Sequence, residues 1–152
     1  MFIIDYFEKL KDEKIKLYVD MDGVIADYDV GVAYEYDQKR PLYSNIEKLE
    51  IISKMENVNI NILSITRYTR GIEEKNTWLD KFAPFFEKEK RNIISRELNN
   101  MRLSADLKVD FVKEIERDGS KIIIIDDDPA VIHAIRRECE DVVLLKDSAL
   151  VD

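Results

Sequence analysis

The sequence predicts an α/β domain with a three-layer, Rossmann-like parallel sheet of about five strands and helices on both faces. Three observations predict it. Short apolar runs alternate with helix-like segments along the chain, as consecutive β-α units do. Residues 121–127 (KIIIIDD) carry four consecutive isoleucines, which fit a strand buried on both faces in the middle of a parallel sheet. The 152 residues suit one domain over 1–152, at about 150 residues per domain, and can bury one core.

Residues 1–11 place Ile3, Ile4, Phe7 and Leu10 at helical spacing. Residues 15–20 (IKLYVD) read as a strand ending on an acid, and 23–37 as a turn followed by helix. A helix is expected over 45–55, then a strand over 58–64 (VNINILS) that alternates before running apolar. Residues 72–82 read as a helix with Pro84 beyond it, and 92–95 as a brief strand. The next helix, 105–117, is expected to close at Gly119. After the isoleucine strand, 129–137 starts on Pro129 as a helix, and 141–145 (DVVLL) is the last strand. Only four glycines and three prolines punctuate the chain, so connections are short and no domain boundary is expected.

Lys plus Arg number 24 and Asp plus Glu 32, a net charge of −8. No run approaches the ~18 apolar residues of a membrane span. The acidic residues among 1–14 exclude a signal peptide. A single cysteine, Cys139, makes no internal disulfide, and with a single histidine, His133, a structural zinc site is not expected. The expectation is a cytoplasmic protein with no membrane partner, whose metal ligands, if any, are oxygens. The charge disfavours nucleic acid over the whole surface and leaves room only for a local basic patch.

In parallel sheets, ligands sit beyond the carboxyl ends of the strands at the topological switch point. The first strand ends in Asp20-Met21-Asp22-Gly23, the second in Ser64-Ile65-Thr66 followed by Arg67-Tyr68-Thr69-Arg70, and the isoleucine strand in Asp126-Asp127-Asp128-Pro129. Clustered carboxylates raise one another's pKa, and a hard cation relieves that. The ordinary alternatives are turn acids at Asp20 and Asp22, a helix cap at Ser64 or Thr66, and a cap before Pro129 that accounts for one acid of three. Trp78 reads as core.

These segments resemble the haloacid-dehalogenase-like (HAD) superfamily. Residues 15–28 (IKLYVDMDGVIADY) are similar to its first motif, 61–64 (NILS) to its second, and 122–127 (IIIIDD) to its fourth. Lys108 in 104–114 (SADLKVDFVKE) fits its lysine by position. Lys75, a few residues before Trp78, is a rival for that role and is similar to a segment of the 5′(3′)-deoxyribonucleotidase-like branch. Residues 108–114 and 126–137 also look like the phosphatase half of phage polynucleotide kinases.

The resemblance implies a Mg²⁺-dependent phosphatase. Asp20 would be the nucleophile that forms an aspartyl-phosphate, and Asp22 the general acid and base. Ser64 would bind phosphoryl oxygens, and Lys108 would neutralise charge. Asp20, Asp126, Asp127 and the backbone carbonyl of Asp22 would hold Mg²⁺. Thr66, Arg67 and Lys75 are candidate substrate contacts, and Arg70 and Arg102 could meet a phosphate or base. Tyr28, Tyr34, Tyr36 and Tyr43 lie where a minimal cap would stand, as stacking groups or as packing. The expected substrate is a nucleotide or other small phosphate. The alternatives are a nucleic-acid 3′-end phosphatase and a non-catalytic Mg²⁺-dependent phospho-acceptor module.

Overall fold

The structure is a computed structural model and describes residues 2–28 and 35–151. Five parallel strands form one sheet in the order β3-β2-β1-β4-β5. They are β1 (Ile15–Val19), β2 (Val58–Thr66), β3 (Arg91–Ser95), β4 (Lys121–Asp126) and β5 (Val143–Lys146). The helices are α1 (Phe2–Lys9), α2 (Tyr43–Ser53), α3 (Arg70–Phe82), α4 (Ser104–Glu114) and α5 (Pro129–Glu138). This is the three-layer α/β arrangement that the sequence predicts.

Alternation along the strands sorts the core into two layers. Leu17, Val19, Ile60, Ile62, Ile123 and Ile125 pack with Phe7 of α1, Leu49 of α2 and Trp78 of α3 on one face. Tyr18, Leu63, Ile122 and Ile124 pack with Val112 of α4 and Ile135 of α5 on the other. The four isoleucines of β4 thus divide between the layers, as a central strand requires. Trp78 is core, and its indole N–H donates to the Lys39 carbonyl at 3.0 Å.

Successive strands are added outward from β1 on one side and then from β4 on the other, so the order reverses between β1 and β4 and their carboxyl ends form the switch point. Val19 pairs with both Ile62 and Ile125, so Asp20 and Asp126 emerge side by side. The Asp20 N–H donates to the Ile125 carbonyl at 3.0 Å.

Three local expectations are corrected. Residues 21–26 form a tight turn in which the Met21 carbonyl accepts from the N–H groups of Val24, Ile25 and Ala26. No helix follows it among the described residues of 23–37. Tyr36–Gln38 is a single 3₁₀ turn, held in place by the Trp78–Lys39 bond and by packing of Tyr36 on Trp78, and residues 29–34, with Tyr34, lie outside the described residues. The fourth helix ends at Glu114, not at a cap on Gly119, because the Arg117 guanidinium takes up the Val112 and Ile115 carbonyls at 2.7 and 2.6 Å. Finally, β2 extends through Thr66, two residues beyond its expected end, because pairing with β3 continues to Thr66–Ser95.

Candidate active site

The turn after β1 aims two carboxylates in different directions. Gly23 has φ +80°, and a Cβ at this position would lie 1.9 Å from Asp127 Oδ2. Glycine therefore supplies both the left-handed backbone and the space into which Asp127 fits. Asp20, Asp126 and Asp127 each bring a carboxylate oxygen within 4.8 Å of the others. Asp128 is set apart, since its side chain accepts from the Ala130 N–H at 2.9 Å and caps α5. The three adjacent acids thus divide into one helix cap and two members of the cluster.

Lys108, on the first half of α4, reaches across the sheet end. Its ammonium donates to Asp126 Oδ2 at 2.6 Å and lies 3.0 Å from Asp20 Oδ1. Burial works against its charge, but Asp20 and Asp126 outweigh that and hold it above the ordinary lysine range. Burial and the neighbouring Asp20 push Asp126 up to about 6 and Asp127 up to about 7. One ammonium does not neutralise three carboxylates.

Asp22 points to the other side of the cleft. Lys75 of α3 lies 3.2 Å from its Oδ2, and Lys39 lies 3.1 Å from its Oδ1. Burial alone would raise the Asp22 pKa, yet Lys75 and Lys39 prevail and hold it below the usual carboxylate range. Lys75 also donates to Ser64 Oγ at 2.7 Å and to the Ile65 carbonyl at 2.8 Å. Its own pKa is lowered by burial despite the nearby acids. Ser64 is fully buried beneath it.

Both rival lysines therefore reach the strand-end acids, Lys108 beside Asp20 in the main cleft and Lys75 beside Asp22 in a pocket next to it. Lys39 is a third, and the sequence reading missed it. Its ammonium lies 5.4 and 5.3 Å from the ring centres of Tyr28 and Tyr36. Its one signal in the sequence is a place in the loop between the first acidic motif and α2, which many surface lysines share.

Tyr28, Ser104, Lys108 and the acids line the main cleft. Next to it, Thr66, Arg67, Tyr68, Arg70, Glu74, Lys75 and Tyr36 line a smaller pocket that shares Asp22 and Ile65 with the cleft. The predicted contacts Thr66, Arg67 and Lys75 all face this pocket. Arg102 instead pairs with Asp110 at 2.7 Å on the surface. Tyr43 packs edge-on against Phe82 and is otherwise exposed. His133 is exposed on α5, and Cys139 is buried after it.

The donor set fits a hard divalent cation. It consists of three clustered carboxylates, two of them with raised affinity for protons, in a pocket that a side chain on Gly23 would obstruct. The Asp22 carboxylate faces Lys39 and Lys75, so a metal role for Asp22 rests on its backbone carbonyl.

Fold and site together define a three-layer α/β domain whose switch point gathers acids and buried lysines. Among solved structures, a chain of the Pnkp1/Rnl/Hen1 RNA repair complex superposes on it with a TM-score of 0.68 at 19% identity, over 89% of this chain. A chain of a second Pnkp1/Rnl/Hen1 structure does so with a TM-score of 0.68 at 18% identity, over 88%. This chain spans 42% and 46% of those two, less than half their length. Likeness at this identity shows the fold alone. No family model matches the sequence, and no curated protein matches it. No helix among the described residues is long and apolar enough to cross a membrane.

Proposed function

We propose that the protein is a Mg²⁺-dependent phosphomonoester hydrolase of the HAD type that works through an aspartyl-phosphate on Asp20. The observation that carries this reading is the convergence of Asp20, Asp22 and Lys108 on one cleft at the β1/β4 switch point, with Lys75 paired to Asp22 from the adjoining pocket.

Asp20 attacks phosphorus through a carboxylate oxygen as the bond to the leaving oxygen breaks. Asp22 gives that oxygen its proton. Lys75 and Lys39 keep Asp22 ionised at rest. The entering phosphate's negative charge offsets their pull and favours the protonated form that this step needs. In the second step, ionised Asp22 takes a proton from water, the water oxygen bonds to phosphorus, and the acyl-phosphate bond breaks to return Asp20 and inorganic phosphate. Lys108 offsets charge on Asp20 and on the phosphoryl oxygens, and Lys75 positions Ser64. Asp20, Asp126 and Asp127 would hold Mg²⁺, which when bound would supply positive charge that offsets the carboxylates and the phosphoryl oxygens.

Purified protein is expected to hydrolyse an aryl phosphate when Mg²⁺ is present and to stop in chelator. Asp20→Asn is expected to lower kcat by about 10⁴-fold or more. Activity that persists in Asp20→Asn would overturn the mechanism. Stable phosphorylation by a small phosphodonor without turnover would instead support the phospho-acceptor module.

The second reading, a nucleic-acid 3′-end phosphatase, is favoured by the fold shared with chains of an RNA repair complex and by the open cleft.

A further inference from the structure

The pocket beside Asp22 has features that phosphoryl transfer does not use. Tyr68 stands at its mouth with 38% of its surface exposed. The guanidinium carbons of Arg67 and Arg70 each lie 5.6 Å from its ring centre. Two cations flank one ring, with Glu74 3.8 Å from Arg70 and Glu97 close enough for its carboxylate to feel the Arg70 charge. In a protein of net charge −8, this is a local basic and aromatic shelf.

The shelf is held in place. Thr66 Oγ1 donates to the Tyr68 carbonyl at 3.2 Å, and this is possible because residue 71 is glycine, where a Cβ would lie 1.8 Å from Thr66 Oγ1. The Arg67 carbonyl accepts from the Glu97 N–H, and Thr69 Oγ1 donates to Glu97 Oε1 at 2.7 Å. A shelf held this way loses little entropy when it binds.

A buried phenol also lines the pocket: Tyr36 is 4% exposed, and its hydroxyl faces the Asp22 carboxylate. Because Asp22 and Ile65 line both spaces, a phosphoryl group at Asp20 would direct its leaving group past Asp22 into this pocket.

We infer that the Arg67–Tyr68–Arg70 shelf, with Tyr36 beneath it, binds the nucleoside that carries the scissile phosphate, with the base stacked on Tyr68. The inference rests on the phosphatase reading and names its substrate class. Sequence-tolerant stacking on an aromatic ring, with arginines for neighbouring phosphates, is the common means of holding an unpaired base.

The test compares hydrolysis of a nucleoside monophosphate and a short 3′-phosphorylated single-stranded oligonucleotide with that of ribose phosphate, which has no base. Tyr68→Ala is expected to raise KM for both base-bearing substrates by about 5- to 150-fold, several times more than for ribose phosphate, with kcat little changed. Tyr68→Phe should restore most of the loss. Affinity that rises from mononucleotide to oligonucleotide and falls steeply with salt marks a nucleic-acid end as the source of the base, and equal affinities mark a free nucleotide.

Equal losses on all three substrates, or a Tyr68-dependent preference for a phosphopeptide, would overturn the inference and leave the phosphatase reading standing. Titration of the unphosphorylated oligonucleotide into wild type and Tyr68→Ala separates the opposite case. Tyr68-dependent binding by a protein that hydrolyses none of the phosphates would retain the shelf and overturn the phosphatase reading.

Discussion

On the β4 side of the cleft, Lys108 lies between two buried carboxylates, Asp20 and Asp126, whereas on the β2 side Lys75 faces one, Asp22, and shares it with Lys39. The two lysines are almost equally buried, at 3% exposure each, yet their basicity moves in opposite directions, up for Lys108 and down for Lys75. Burial works against both charges; Lys108 outweighs it with direct ion pairs to two acids, whereas Lys75 pairs directly with one, is drawn by Asp20 as well, and is opposed by the Lys108 charge. The β4 side is therefore an acid-rich wall that keeps its lysine charged and could still take a cation. The β2 side is a lysine-rich wall that keeps its acid ionised.

The strongest way to break this comparison is to remove the carboxylate that Lys39 and Lys75 share. Asp22→Asn takes away the acid that both ammonium groups pair with, and kcat is expected to fall by about 10²–10⁴-fold. Activity within tenfold of wild type would deny Asp22 its acid–base role.

Stability sharpens the contrast further. Lys108→Met leaves Asp20 and Asp126 buried together without their cation and should cost about 3–5 kcal/mol in urea unfolding without metal. Lys75→Met removes a cation that burial already disfavours, while Asp22 keeps Lys39. Its cost, mainly the unpaired Ser64 hydroxyl and Ile65 carbonyl, should be about 1–2 kcal/mol. Equal costs would mean that partner number does not set the balance.

The smallest expected effect is a pH dependence. Unfolded aspartates titrate near 4, while folded Asp126 and Asp127 titrate near about 6 and about 7. Between those limits the folded protein binds more protons, so metal-free stability should decline as pH rises from about 4 to about 7. Thermal unfolding in chelator should show a shallower decline in Asp127→Asn than in wild type. Mg²⁺ should raise Tm more above about pH 7 than near pH 5, because protons compete for the same oxygens. An unchanged slope in Asp127→Asn would remove this acid from the titrating set.

Much of the fold was legible because strand burial is written in local composition. The isoleucines of β4 and the alternation in β2 marked two central strands, and an acid directly after a buried strand marked Asp20 and Asp126. Gly119 misled because a glycine signals a turn without saying which side chain satisfies the helix end, and here Arg117 does. Lys39 was illegible because its burial depends on Tyr36, Trp78 and Asp22, which come from three separate parts of the chain. The choice between Lys75 and Lys108 dissolved in three dimensions, since α3 and α4 deliver one lysine to each side of the cleft.

By itself, the sequence determined the α/β class, the central strands and the acids at their ends, because periodicity and strand-end chemistry are properties of neighbouring residues. Only the tertiary structure decided which acid meets which lysine, which of three aspartates caps a helix, and that Tyr68 lines the same pocket as Asp22. Those relations depend on strand order and on the packing of helices onto the two faces of the sheet, and residues far apart in the chain set them.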